Sequence, residues 1–245
     1  MDSYRLKKKL FSRTVLYSTF LVTIFVLIST LFFQDYCLGS ELDDLNSRLA
    51  VSESVLKQSL DMPDSRIPKD LLQRCRGIAI FPGVLNFGAL VGISYGSGVV
   101  LRRDENTGVW SHPVFFNIRQ GSLGVQMGAQ SIDLILLMMS EKTIQKLLEE
   151  KVSLGLDVSV SAGPVGREIG ADTNWSLDSG ILSYSKTKGL FMGVSLSGSI
   201  LEPDNKSNEK YHGKDVSVQD ALYENKGALS ETARSLINAL DEASK

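Results

Sequence analysis

The sequence predicts an α+β domain: a strongly curved antiparallel β-sheet or small barrel with glycine-rich strands, flanked by N- and C-terminal helices. Three observations carry this. Of 21 glycines, 18 lie between Gly77 and Gly198. The apolar runs of that stretch are short, β-branched and separated by turn residues, which suits a meandering sheet. The segments on either side carry leucines at helical spacing instead.

The elements follow in order. Over residues 40–61, Leu42, Leu45, Leu49, Leu56 and Leu60 recur at helical spacing, and Ser40 with Asp43 resembles an N-terminal cap. The polar face of this helix is acidic (Glu41, Asp43, Asp44, Glu53), so packing on the body explains it better than a membrane surface does. Pro63 ends it, and Pro68, at a probable first helical position, starts a short helix through Arg76. Strands are expected over 78–81, 89–93, 99–101, 114–118, 132–139, 156–161, 181–184 and 190–200, with a hairpin turn at Glu105-Asn106-Thr107-Gly108. A helix capped by Ser140 runs over 140–150, with Ile144, Leu147 and Leu148 on one face. Residues 201–213 are polar and read as a loop. Two helices, 218–225 and 229–243, close the chain. The last presents Leu229, Ala233, Leu236, Ile237 and Leu240 as its apolar stripe.

Residues 1–39 belong to a different class. Arg5 to Arg13 is basic, and Thr14 to Phe33 is twenty residues without a charge. That length suits either a cleaved signal peptide ending at Gly39 or an uncleaved membrane anchor. The charge asymmetry holds the N-terminus in the cytoplasm and exports the body. Lipidation at Cys37 is disfavoured by Asp35 and Tyr36, which stand where small uncharged residues are needed. The body, residues 40–245, reads as one domain with 21 basic and 26 acidic side chains, a net of −5. Such a balance excludes a general nucleic-acid binder. Cys75, the other cysteine, reads as a small buried hydrophobe.

Gly92, Gly96 and Gly98 share one strand parity, as do Gly124 and Gly128. One sheet face is therefore partly bare, through tight packing or to admit a ligand against backbone. Gly92-Ile93-Ser94-Tyr95-Gly96 matches the G-x-S-x-G pattern of a nucleophile elbow, but a strand rather than a helix follows. A serine esterase using Ser94 is thus a remote alternative. Two histidines a hundred residues apart, with no cysteine pair, give no zinc spacing, and no cofactor fingerprint is complete. Asp133, inside an apolar run, calls for an arginine or backbone N–H partner. The basic residues Arg66, Lys69, Arg74, Arg76, Arg102 and Arg103 are local groups that together would hold a lipid phosphate.

The order of motifs is more specific than any one of them. Phe81-Pro82-Gly83 is followed by Gly96-Ser97-Gly98, then Trp110-Ser111 with Pro113, Gly121-Ser122 with Gly124 and Gly128, and Asp133. Gly163-Pro164-Val165-Gly166-Arg167, Tyr184-Ser185, and Gly189-Leu190-Phe191 with Gly193 complete the series. This resembles the SYLF-domain family over roughly residues 45–225. In eukaryotes that domain sits beside FYVE or Src-homology modules; in bacteria it often stands alone behind an export signal. The resemblance implies non-enzymatic lipid binding, with phosphoinositides the best-known ligands and actin contacts in some relatives. It implies no catalytic set and no cofactor. The expectation is a lipid-binding module exported to the bacterial envelope, periplasmic or anchored facing the periplasm, with a membrane lipid as partner. Phe81, Phe115, Phe116 and Phe191 are candidate apolar contacts, with core packing the alternative for each. The competing reading is a structural envelope protein that binds another protein or self-associates.

Overall fold

The computed structural model describes residues 41–61, 67–88, 91–123, 128–165, 180–187 and 190–245. The leader, Arg66, Gly124, Gly166, Arg167 and Gly189 lie outside these. The chain divides into two compact units, Met1–Asp44 and Leu45–Lys245. Of the first, only the opening turn of helix α1 (41–61) is described.

The second unit is a nine-stranded sheet with helices. Its strands are β1 (Gly77–Gly88), β2 (Val91–Arg102), β3 (Val114–Leu123), β4 (Gly128–Met138), β5 (Val152–Ser153), β6 (Val160–Ala162), β7 (Ile181–Thr187), β8 (Leu190–Gly193) and β9 (Ser199–Pro203). The helices are α2 (Lys69–Arg74), α3 (Glu141–Lys146), α4 (Asn205–His212), α5 (Val218–Glu224) and α6 (Glu231–Ala243). Strand order is β5-β9-β3-β2-β1-β4-β7-β6, with β8 also on β7. Every pairing is antiparallel except β6 with β7. The α+β class and the curved sheet are as expected, and the sheet curls into a half-barrel with one parallel pair.

Four expected elements change. The runs 89–93 and 99–101 are one strand, because pairing with β3 is unbroken from Val91 to Val100 through Gly92, Gly96 and Gly98. The run 156–161 divides into a turn at 155–157 and β6, and the run 190–200 into β8, a turn and β9. The polar segment 201–213 is no loop. It finishes β9 and forms α4, whose N-cap Asp204 accepts from the Ser207 N–H. Composition missed this helix because its polar side chains work locally: Asn208 packs inward while its neighbours face water.

Central strand β1 contains a proline, which a sheet interior admits only at a bulge. The register slips against β2 between Ile80 and Leu85, and against β4 between Phe81 and Val84. Gly83 takes φ +62°, a conformation that favours glycine. Its N–H leaves the ladder and donates to Asp133 Oδ1 at 2.9 Å. Asp133 thus has the backbone partner its apolar surroundings require, and it pins the bend in β1.

Each face of the sheet builds a core. One buries Ile78, Ile80, Val99, Leu101, Phe115, Ile135 and Tyr184 against α1, α2 and α6. The other buries Phe81, Val84, Val100, Phe116, Ile118, Leu134 and Leu136 with Ile144 of α3 and Leu222 of α5. A small cavity on the second face is lined from both β4 (Ile132, Leu134) and β9 (Ser199). Those strands are four steps apart, about 19 Å on a flat sheet. They meet because this face is the concave one.

Candidate functional site

Among the described basic residues, the sheet register gathers four at one end. Gly77 of β1 faces Arg102 of β2, and the Arg103 N–H donates to the Arg76 carbonyl at 2.7 Å. The Arg103 guanidinium reaches the Gln73 carbonyl at the end of α2 (2.6 Å) and the Gly108 carbonyl (3.1 Å). Lys69 stands one turn before Gln73, and both Lys69 and Arg74 are exposed. Acids accompany the cluster. Arg76 pairs with Glu105. Arg102 pairs with Glu141 (3.2 Å) and Asp104 (3.4 Å) and lies over the Tyr223 ring. Asp104 is held below the ordinary carboxylate range by the Thr107 N–H and hydroxyl, helped by Asn106 and Arg102. Arg102 is therefore tied into the β2–α3–α5 contact. Lys69, Arg74 and Arg103 form the outward part of the cluster, and Arg103 is turned to backbone carbonyls.

The motif residues that carried the family resemblance build the sheet. A β-carbon at Gly98 would overlap the Ile80 carbonyl and the Phe81 ring, and one at Gly96 would meet Val84. At these two positions tight packing, not a ligand, requires glycine. Gly163 and Gly193 touch through backbone, and the Tyr184 ring lies where a Gly163 side chain would be. Pro164 follows in the same segment, half-buried. Phe81, Phe115, Phe116 and Phe191 are all buried core. Trp110 is buried and bridges Arg103. The Ser111 hydroxyl accepts the Arg102 N–H at 2.9 Å, and the Pro113 carbonyl accepts from His212 Nε2 at 2.8 Å. Gly128 pairs with Gly88 where β1 meets β4.

The elbow around Ser94 has no elbow geometry. Ser94 sits inside β2, which continues as strand to Arg102, and both histidines serve other contacts. His112 Nδ1 donates to the Lys226 carbonyl at 3.2 Å. His212 is buried with Nδ1 unpartnered, so Nε2 carries its proton toward Pro113. Among the described residues no group of three metal-ligating side chains converges. Nor is any described helix long and apolar enough to cross a membrane; the apolar run of the leader lies outside the described residues.

Two features escaped the sequence. On the helix-bearing face, beyond the helices, Leu85 and Tyr95 are cross-strand partners and both are exposed. Beside them Ser97 donates to Asn117 Oδ1 at 2.7 Å, Tyr95 donates to the same oxygen at 3.2 Å, and Arg119 pairs with Glu202. The signal was the odd-numbered row of β2, which turns from Leu101 and Val99 to Ser97 and Tyr95. The second feature is the concave cavity. It is lined by Val84, Ser94, Ile118, Gln120, Ile132, Leu134, Leu196 and Ser199. About 20 Å³ of it is open to the centre of a water molecule. The Ser199 hydroxyl is fully buried there without a hydrogen-bond partner among the described residues. Sequence could not show it, because it depends on how far the sheet curls.

Comparison with known proteins agrees with this architecture. The family model Ysc84, described as "Las17-binding protein actin regulator", matches residues 119–243. Protein YSC84 of Saccharomyces cerevisiae is 37% identical over 153 residues, 61% of this chain and 32% of its own. LAS seventeen-binding protein 3 of the same yeast is 33% identical over 162 residues, covering 65% of this chain and 35% of its own. The SH3 domain-containing YSC84-like protein 1 of Bos taurus is 30% identical over 162 residues, 66% of this chain and 47% of its own. The chain thus spans about half the length of these relatives or less. With over half of its length matched by the family model, and with the ordered glycine and aromatic motifs built into one curled sheet, the chain belongs to the Ysc84 (SYLF-domain) family.

Proposed function

We propose that this chain is a non-enzymatic binding module that holds anionic lipid headgroups, phosphoinositides or other anionic phospholipids, at a membrane surface. The observation that carries the reading is the convergence of Lys69, Arg74, Arg76 and Arg103 around the end of α2. On a body of net −5, a headgroup must be held by a local cluster rather than by the field of the protein. Arg103 is pre-positioned beside the phosphate path by its carbonyl contacts, and Lys69 and Arg74 supply mobile cations at its rim. Arg66 precedes α2 in sequence and joins this proposal without a described position. Export to the bacterial envelope, by way of the basic and apolar leader, is part of the same proposal, as is a single domain over residues 40–245.

The test is full-length protein with phosphatidylglycerol and phosphatidylcholine vesicles at low and high salt. The leader run binds both kinds of vesicle, so their difference reads the cluster. Lys69→Glu with Arg74→Glu should abolish the preference for the anionic vesicles, as should about 0.5 M salt. A preference that survives both changes refutes the reading.

A second reading is favoured by the names of the relatives, two of which are Las17-binding by family or title. The exposed Leu85–Tyr95 pair, with Asn117 and the Arg119–Glu202 pair around it, has an apolar centre, a polar rim and balanced charge. That composition fits a protein partner or a second copy of the chain better than an anionic membrane. A mass that rises with concentration and is restored to monomer by Leu85→Asp supports self-association there. A mass unaffected by the change removes that surface from it.

A further inference from the structure

We infer that the concave face of the half-barrel is a slot for one hydrocarbon chain, taken tail first; this rests on, and deepens, the lipid reading above. The cavity is walled by Val84, Ile118, Ile132, Leu134 and Leu196, and no charged side chain lines it. An ionised headgroup is therefore excluded from it, whereas a methylene chain loses only water. Its polar groups lie on one side. Ser94 faces Gln120 across β2 and β3, and Gln120 faces Ser199 across β3 and β9. The Ser199 hydroxyl, fully buried and unpartnered among the described residues, is a donor waiting for an acceptor.

The register also supplies a way in. Leu134 on β4 is opposite Ser185 on β7, and Ser185 is opposite Met192 on β8. Directly paired residues share a face, so Leu134, Ser185 and Met192 form a row from the cavity to the sheet edge. Met192 is 49% exposed and its neighbour Leu190 57%, which places large apolar side chains in water at the outer end of that row. The cavity itself is narrow, about one water across, so it takes the last carbons of a chain while the remainder lies along the row. A single-chain lipid and a free fatty acid present the same chemistry to it.

The test uses full-length protein and two photoreactive probes with a diazirine at the terminal carbon of a twelve-carbon chain, one a fatty acid and one a lysophosphatidylglycerol. Crosslinked residues are mapped by mass spectrometry. Labelling of β1, β3 or β4 at Val84, Ile118, Ile132 or Leu134 is expected, from one probe or both according to the natural source. Ser94→Trp fills the cavity and should cut that labelling at least about tenfold, the effect of excluding about two methylenes. The leader run, labelled in both proteins, is the internal standard. Leu196→Phe narrows the same cavity from a segment outside the ladder, and replaces Ser94→Trp if that variant does not fold. Labelling confined to the leader and outer surfaces, or unchanged by filling the cavity, overturns the slot. Charge-dependent vesicle retention without cavity labelling sinks the slot alone. Cavity labelling with retention indifferent to Lys69 and Arg74 sinks the surface reading alone.

Discussion

Asn208 offers the sharpest test of how the fold is closed. It is an asparagine in an eight-residue helix, and it is buried. Its Oδ1 accepts the Phe115 N–H at 2.7 Å, and its Nδ2 donates to the Phe115 carbonyl at 2.9 Å. The amide stands in for a strand residue where β9 stops pairing with β3, since the last β3–β9 partner is Phe116 with Pro203. Asn208→Ala deletes both bonds. The Phe115 carbonyl keeps the Asp204 N–H at 2.9 Å, but the Phe115 N–H is left buried without an acceptor. An orphaned N–H costs about 1–3 kcal/mol, and losing the second bond adds about 1 kcal/mol. We expect a total of about 2–4 kcal/mol. With a urea slope near the upper end of the usual range, about 2.5 kcal/mol/M, the unfolding midpoint should fall by about 1 M. Asn208→Asp retains the acceptor and should lose less at low pH, where its carboxyl is protonated and still donates. Equilibrium urea unfolding followed by tryptophan fluorescence measures all three proteins. A loss below about 0.5 kcal/mol for Asn208→Ala would show that this buried bond pair does not hold α4 to the sheet.

Three further outcomes follow from the same structure. Gly98→Val should fail to give soluble folded protein, because its side chain would overlap the Ile80 carbonyl and the Phe81 ring; a normal thermal melt would contradict that packing. His212 and His112 are both held below the ordinary histidine pKa, chiefly by burial, with cationic Arg234 acting on His112 and His112 on His212. The unfolded chain then binds protons more readily, so stability is full above about pH 6.5 and falls as pH drops below it. His212→Gln should flatten that acid slope in thermal melts, and an unchanged slope would remove His212 as its source. Burial pushes the Cys75 thiol up to about 12, so alkylation of the Cys75 peptide at pH 8 should be slow in native protein and fast in urea; rapid native labelling would mean the core beneath α2 opens.

How much of this was legible depends on which interactions decide each element. Leucines at 45, 49 and 56 gave α1 directly, since burial on one stripe and helical spacing are the same fact. The hairpin turn at 105–107 followed from Asn-Thr-Gly chemistry, and Gly108 takes the positive φ its position needs. Helix α4 was hidden because its one inward amide bonds a strand backbone ninety-three residues away, a contact no local window contains. Strand β2 looked broken because Gly96 and Gly98 carry no side chain; Val84 and Phe81 from β1 supply the missing volume. The basic residues were readable as groups, but that Arg102 turns to Glu141 while Arg103 turns to carbonyls is a consequence of the β1–β2 register and the turn after it. The cavity depends on curvature, which Pro82, Gly83 and Asp133 set together across two strands.

One arrangement bears on how the chain comes into being. Leu45, Leu49 and Leu56 of α1 share a single core with Leu236, Leu240 and Ala243 of α6, and Ser235 donates to Glu53 between the two helices. The first helix of this body is thus made early and sealed last. Until the ribosome has released the final thirteen-residue helix, Ile80, Val99 and Ile135 have one flank uncovered, and the nascent chain has a built-in delay before it can become compact. Such a chain stays threadable for the whole of its synthesis, and cutting off its last turns would leave it permanently in that unfinished state.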